Sequence, residues 1–187
     1  MSSEHEQFAA YFAARRDKVR RAAYLLCGDW HFADDLAQMA FVRLAQSWRR
    51  VRDRDALDAY VQTTLIRVYI AENRRWFRRR ERTTDTVADP VLITVDRDGM
   101  ADSVGRKLAV LAALRRLPPG QRAVLVARYF GDLSVAATAE ALSCSTGTVK
   151  SQAARAINTM REYLSPLGMT IEGAIGDEVR DEPVRRV

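Results

Sequence analysis

Up to Pro90 the sequence contains almost no helix breaker, with one glycine, Gly28, and no proline. Over that stretch apolar residues recur at intervals of three and four, the repeat that gathers side chains on one face of a helix. No run alternates with a period of two and no internal repeat is visible, so the chain is predicted to be all-α. A first helix is expected over residues 5–27, ending near Gly28. A second opens between Trp30 and Ala33 and buries Leu36, Ala40, Phe41, Leu44 and Trp48. A third starts near Leu57, buries Leu57, Tyr60, Val61, Thr64, Leu65 and Val68, and gathers Thr63, Arg67 and Arg74 on its other face. Between the second and third helices lies RRVRDRDA, an aperiodic basic loop carrying Arg49, Arg50, Arg52 and Arg54.

The charge changes sign after Arg82. Residues 83–105 hold Asp85, Asp89, Asp96, Asp98 and Asp102, and Pro90, Gly99 and Gly105 punctuate them as a linker. Helices are expected to resume with Leu108, Leu111 and Leu114, stop at Leu117-Pro118-Pro119-Gly120, and restart with Val124, Leu125, Tyr129 and Phe130 before Gly131-Asp132. From Ser165 the periodicity fades into a loose tail. The expected plan is thus two small helical domains, residues 1–82 and 106–165, a flexible acidic linker over 83–105, and a tail over 166–187.

The 187 residues carry a formal net charge of +6, with 30 Lys+Arg, almost all arginine, against 24 Asp+Glu, a balance that favours an anionic partner. No apolar run approaches the roughly 20 residues that span a bilayer, and MSSEHEQF lacks the order of a secretory signal, so a cytoplasmic protein without membrane insertion is expected. Cys27 and Cys144 stand far apart without a partner at metal-ligand spacing and read as reduced thiols; His5 and His31 are equally isolated. With no Gly-rich phosphate loop and no nucleophile beside a base, neither an enzyme nor a cofactor site is expected.

The sharpest local pattern is LSVAATAEALSCSTGTVKSQAARAINTMREYL, residues 133–164. Ser134 is placed to cap a short helix holding Val135, Ala139 and Leu142; Ser143 to Ser145 turn the chain, and Ser145 can cap the next helix. This is helix-turn-helix spacing, in which the second helix enters the major groove of DNA. Thr148, Lys150, Ser151, Gln152 and Arg155 supply hydroxyl, amide and cationic groups suited to base edges and phosphates. A plain helical hairpin fits two amphipathic helices too, and Ala136, Ala137 and Ala139 permit close helix contact. A second pattern, ADDLAQMAFVRLAQSW, puts Asp34, Asp35 and Gln38 on a polar face opposite the Leu36/Phe41/Trp48 stripe, where a solvated face and a protein-docking face are both open.

ADDLAQMAFVRLAQSW resembles the polymerase-binding segment of bacterial extracytoplasmic-function (ECF) sigma factors, A-x-D-L-x-Q followed by an aromatic and a Trp. LPPGQRAVLVARYFGDLSVAATAEALSCSTGTVKSQAARAINTMRE is similar to their promoter-binding fourth region, and the SxGTVKSQ core with a following R-A looks like the actinobacterial-type subgroup. The resemblance covers roughly residues 8–80 and 108–164. It implies a sigma factor, a dissociable subunit that directs RNA polymerase core to promoters and helps open the strands. On that basis Asp34, Asp35 and Gln38 face the β′ clamp helices, while the fourth region meets the β flap. The loop from Arg49 to Ala56 sits where a flipped base of the −10 element is captured, and Thr148, Lys150, Ser151, Gln152 and Arg155 meet the −35 element. An anti-sigma factor that masks these faces is common in the family. Two positions depart from its pattern: Arg67 stands where the subgroup usually has Asn, and Ala136-Ala137 replaces a more polar pair. The rival is a stand-alone helix-turn-helix regulator, which has no use for the Asp34/Asp35/Gln38 face.

NRRWFRRRER, residues 73–82, surrounds Trp76 and Phe77 with arginine. Melted DNA offers both charges and flat faces to such a segment, because extracting a base costs a few kcal/mol and stacking on an aromatic returns about 1 to 3 kcal/mol. Arg74, Arg75 and Arg78 are expected on backbone phosphate. Rings at a helix end are also common packing anchors, the role expected first for Trp76. Extended, the roughly 23-residue linker spans on the order of 75 Å, matching the approximately 70 Å of two turns of B-DNA.

Overall fold

The computed structural model describes residues 2–51, 53, 56–82 and 103–171. Among them are seven α-helices and one 3-10 turn, with no strand: α1 Ser2–Cys27, α2 Trp30–Ser47, α3 Leu57–Arg82, α4 Ser103–Arg116, α5 Pro119–Tyr129, α6 Val135–Leu142 and α7 Thr146–Leu164, followed by Ser165–Leu167. Residues 83–102 of the expected linker and 172–187 of the expected tail lie outside the described residues. At the linker's far end α4 begins at Ser103, earlier than expected. Order also runs past Ser165, because Ile171 is buried with Leu114, Met160 and Leu164.

Local chemistry sets the helix ends. Asp29 caps α2 by accepting from the Phe32 amide at 2.8 Å, and α1 ends on Gly28, whose φ of +74° belongs to the left-handed region. Gly28 is also crowded: a Cβ there would collide with the Arg115 guanidinium, its Nη2 lying 2.8 Å away. Gly28→Ala is therefore expected to cost about 1 to 2 kcal/mol from the backbone alone, with a further loss from the displaced arginine, read as a lowered midpoint in urea.

The stripe expected on α2 is buried throughout, from Leu36 to Trp48, and packs against α1 and α3. Phe8 and Tyr11 of α1 close over Trp48, and Phe12 meets Phe41 edge-on. In the second half α5 and α7 enclose α4's buried side, while Val124, Ala139 and Val149 form the small core of the helix-turn-helix. Leu108 and Tyr129, apolar positions of the expected helices, are partly exposed.

The two halves also pack on each other. α3 was expected to bury one face, yet Gln62, Ile66 and Tyr69 are buried as well, spaced four and three apart on a second face. That face looks toward α5 and α6: Gln62 lies beside Gly131, and Arg122 of α5 is near Tyr69. Ala123, Val126, Ala127, Leu133 and Ala141 accordingly belong to the same apolar cluster as α1, α2 and α3. Arg122 reaches across, donating to the carbonyls of Leu26 at 2.9 Å, Arg115 at 3.0 Å and Leu117 at 3.1 Å, the open C-terminal ends of α1 and α4. Burial pushes its pKa down, but a guanidinium stays charged.

Candidate functional site

Three surfaces carry the residues singled out by sequence. On α2, Asp34, Asp35 and Gln38 are all exposed, on the side away from the Leu36/Phe41 core. Asp34 is engaged by a two-pronged bond from Arg20 of α1, whose Nη2 lies 3.1 Å from Oδ2, and this guanidinium holds its carboxyl below the ordinary range. Arg20 in turn lies over the Trp30 ring, which is stacked flat on Tyr24 at 3.9 Å. Beside them an open groove of about 650 Å³ runs between α1 and α2, lined by Phe12, Arg16, Arg20, Asp34, Gln38 and Val42. Val42 is 49% exposed. Sequence reasoning passed over Trp30 and Val42, although Val42 follows Gln38 by four and so continues its face.

The second helix of the helix-turn-helix pattern is α7. Ser134 and Ser145 cap α6 and α7 as expected, each hydroxyl accepting a backbone amide at 3.0 Å, from Ala137 and Thr148 respectively. Ser143 takes the left-handed conformation that turns the chain between them. Val149, Ala156, Met160 and Leu164 point inward, leaving Thr148, Ser151 and Arg155 along one exposed line at spacings of three and four. Asn158, one step further, joins it and pairs with Arg161 at 3.1 Å. Lys150 lies on one flank of the line and the half-buried Gln152 on the other. The hydroxyls of Thr148 and Ser151 already bond within the helix, to Ser145 Oγ at 2.9 Å and to the Thr148 carbonyl at 3.0 Å.

The third surface is dispersed. Arg49 pairs with Glu4 at 3.0 Å, and Arg50 is exposed in the turn after α2, while Arg52 and Arg54 lie outside the described residues. Along α3, Arg67 pairs with Glu140 of α6 at 2.9 Å and Arg75 with Glu72 at 2.8 Å; Arg74 and Arg78 are exposed. Thr63 is half-buried, so the expected line of Thr63, Arg67 and Arg74 is only partly open. Trp76 is 49% exposed, beyond the stretch of α3, residues 61–69, that the bundle covers most fully. The Phe77 side chain lies outside the described residues.

Among the described residues no group of three or more His, Cys, Asp or Glu is placed to hold a metal ion, and no helix is long and apolar enough to cross a membrane. Cys27 and Cys144 are free, and burial raises the Cys27 pKa.

Comparison with known proteins matches both halves of the chain. Residues 11–83 match the family described as Sigma-70 region 2, and residues 107–160 match Sigma-70, region 4. RNA polymerase sigma-E factor of Streptomyces coelicolor is 33% identical over 158 residues, covering 84% of this chain and 86% of that protein. The ECF RNA polymerase sigma factor SigW of Bacillus subtilis is 28% identical over 178 residues, 88% of this chain and 92% of that one. Among solved structures, the sigma factor RpoE in complex with the anti-sigma factor NepR from Bartonella quintana superposes with a TM-score of 0.68 at 21% identity, over 86% of this chain and 98% of that chain.

Proposed function

Since the chain belongs to the ECF sigma factors of RNA polymerase, which direct the polymerase to promoters, we propose that its three surfaces divide that work. The α2 face of Asp35, Gln38 and Val42, with Asp34 beside it, docks on the β′ clamp helices of the polymerase core. The α7 line of Thr148, Ser151 and Arg155, flanked by Lys150 and Gln152, reads the −35 element, and the same domain meets the β flap. Arg49, Arg50, Arg52, Arg54 and Arg67, with the arginines and Trp76 at the end of α3, hold and help open the −10 element. The observation that carries this division is the exposed polar face of α2 on a helix whose opposite face is fully buried. The match over residues 11–83 disfavours a stand-alone helix-turn-helix regulator.

This division makes the chain a cytoplasmic, non-catalytic subunit whose partners are core polymerase and promoter DNA, and an anti-sigma factor is a further partner by analogy with the Bartonella complex. The SxGTVKSQ core and the 33% identity to the Streptomyces protein support the actinobacterial-type subgroup. Reconstituted transcription with core polymerase and a pool of genomic promoter fragments tests the reading: transcripts should depend on the chain and share upstream motifs.

The α7 assignment makes its own prediction. Arg155→Ala is expected to weaken binding to a −35 duplex by about 1 to 3 kcal/mol and to relax selectivity at one base pair. Lys150→Ala, from the flank, should weaken all sequences alike and make the salt dependence shallower by about one phosphate contact. Titrations at several salt concentrations distinguish the two.

A further inference from the structure

The loop after α2 and the arginine-rich end of α3, both proposed to hold the −10 element, stand well apart. From Leu57 to Trp76 the helix rises about 29 Å at 1.5 Å per residue. A strand held at both places must pass over the middle of the domain, where Arg67 alone has a proposed contact.

What it crosses is the edge between α2 and α3. The Tyr60 hydroxyl donates to Ser47 Oγ at 2.9 Å, which sets the register of the two helices at their joined ends. The short connection makes them antiparallel, so Arg43, one turn before Ser47, falls level with the turn of α3 from Thr63 to Arg67. Arg43, Gln46 and Arg50 follow one another at spacings of three and four and are all exposed. Among the described residues neither Arg43 nor Arg50 makes an ion pair, whereas Arg15, Arg16, Arg20 and Arg49 each answer a carboxylate. After Asp35, α2 carries no carboxylate at all. On the other bank Arg67, Arg74 and Arg78 share the face of Tyr60, at steps of seven, seven and four. Glu140 reaches this edge from α6 and is paired with Arg67, which leaves Arg43 the open cation at that level. The α2 dipole also favours a cation near its end, but it has no bearing on the arginines of α3 that line the same edge.

We infer that the α2/α3 edge is the path of the unpaired strand between the loop and Trp76, and that Arg43, with Gln46 beside it, is a phosphate contact on the α2 bank. This rests on the proposed assignment of the loop and the end of α3 to the −10 element. The ligand is single-stranded DNA held by its backbone: guanidinium groups on both banks neutralise its phosphates, and the Gln46 amide is free to donate to a phosphate oxygen. Arg43 and Arg50 lie about 10 Å apart along the helix axis, so they meet different phosphates. A contact of this kind reads charge and not base identity, so it serves strands of any −10 sequence alike.

Core polymerase loaded with the full chain, titrated onto a labelled promoter recovered from the transcription pool, both as duplex and with its −10 region premelted, tests the path. Arg43→Gln removes one charge at little cost in helix propensity. Losing one phosphate contact on a single strand should weaken binding to the premelted template about eightfold at 50 mM salt and about threefold at 200 mM, the salt slope falling by about 0.7. Arg43→Lys should recover most of the affinity. Arg21→Gln, which removes an exposed cation of α1, should leave the slope unchanged. A wild-type slope for Arg43→Gln, even with a lowered melting midpoint, overturns the path and makes the residue structural. An equal change for Arg21→Gln overturns it too, because the overall charge of the domain then suffices. So does a defect confined to the duplex template, which would put Arg43 on double-stranded DNA. A chain that directs no transcription with core polymerase overturns the −10 assignment itself, and the path with it.

Discussion

Asp35→Arg is expected to abolish capture of core polymerase while leaving the fold untouched. The carboxylate is exposed on α2, one turn from Gln38, and the core-facing residues Leu36 and Ala40 are not disturbed by a change on the opposite face. A substitution at such a position alters stability by less than about 0.5 kcal/mol. At an interface the same change replaces attraction by like-charge repulsion and costs several kcal/mol, and each 1.4 kcal/mol is about a factor of ten in affinity. A loss of a thousandfold or more should therefore appear in a pull-down or an anisotropy titration with labelled chain. Asp35→Asn, which only removes the charge, should fall between. Asp34 makes a poorer probe because it already serves Arg20, and removing it also releases that arginine from Trp30. A Asp35→Arg protein that melts like wild type and still captures polymerase would move the docking surface elsewhere. The groove of Phe12, Gln38 and Val42 is then the place to look next.

The parts of this molecule that local physics dictates were legible in its sequence. The α2 stripe needed only the three-and-four repeat, and the caps at Ser134 and Ser145 needed only a hydroxyl ahead of an apolar run, so those elements are found where they were expected. What escaped depends on partners distant in the chain. Gln62, Ile66 and Tyr69 are buried because α5 and α6 arrive from some 60 residues downstream, and a periodicity analysis that assigns each helix one face has no means of seeing a second. Nothing in GQRAVLVARY marks Arg122 as buried; its burial follows from two helix ends whose carbonyls need donors, and those ends converge only in three dimensions. The exposed face of Asp35 and Gln38 lay between these cases. Its polarity was visible, but Arg20, Trp30 and Val42, which shape the groove beside it, come from three different turns of two helices.

The segment 73–82 yields the other large effect. If Arg74, Arg75 and Arg78 hold the backbone of the melted strand, replacing all three with alanine removes up to three phosphate contacts. The logarithm of the binding constant then falls with the logarithm of salt less steeply, by about 0.7 per contact on single strands. Between 50 and 200 mM salt the gap between wild type and variant should therefore narrow by on the order of 20-fold, the defect being greatest at low salt. Arg75, already paired with Glu72 at 2.8 Å, should contribute least. Trp76→Ala probes the ring. Since the indole is 49% exposed, truncation should cost less than the 3 to 5 kcal/mol typical of a fully buried tryptophan. A base stacked on it loses about 1 to 3 kcal/mol, a fall of roughly 5- to 150-fold in open complexes. A template whose −10 region is premelted spares the unstacking cost and should recover most of that loss. Permanganate reactivity on duplex and premelted templates, beside a melt of the full chain, reads both quantities. A Trp76→Ala chain that is stable and opens duplex promoter normally would leave the arginines as the working part of the segment, because the flat face would then have no strand to hold.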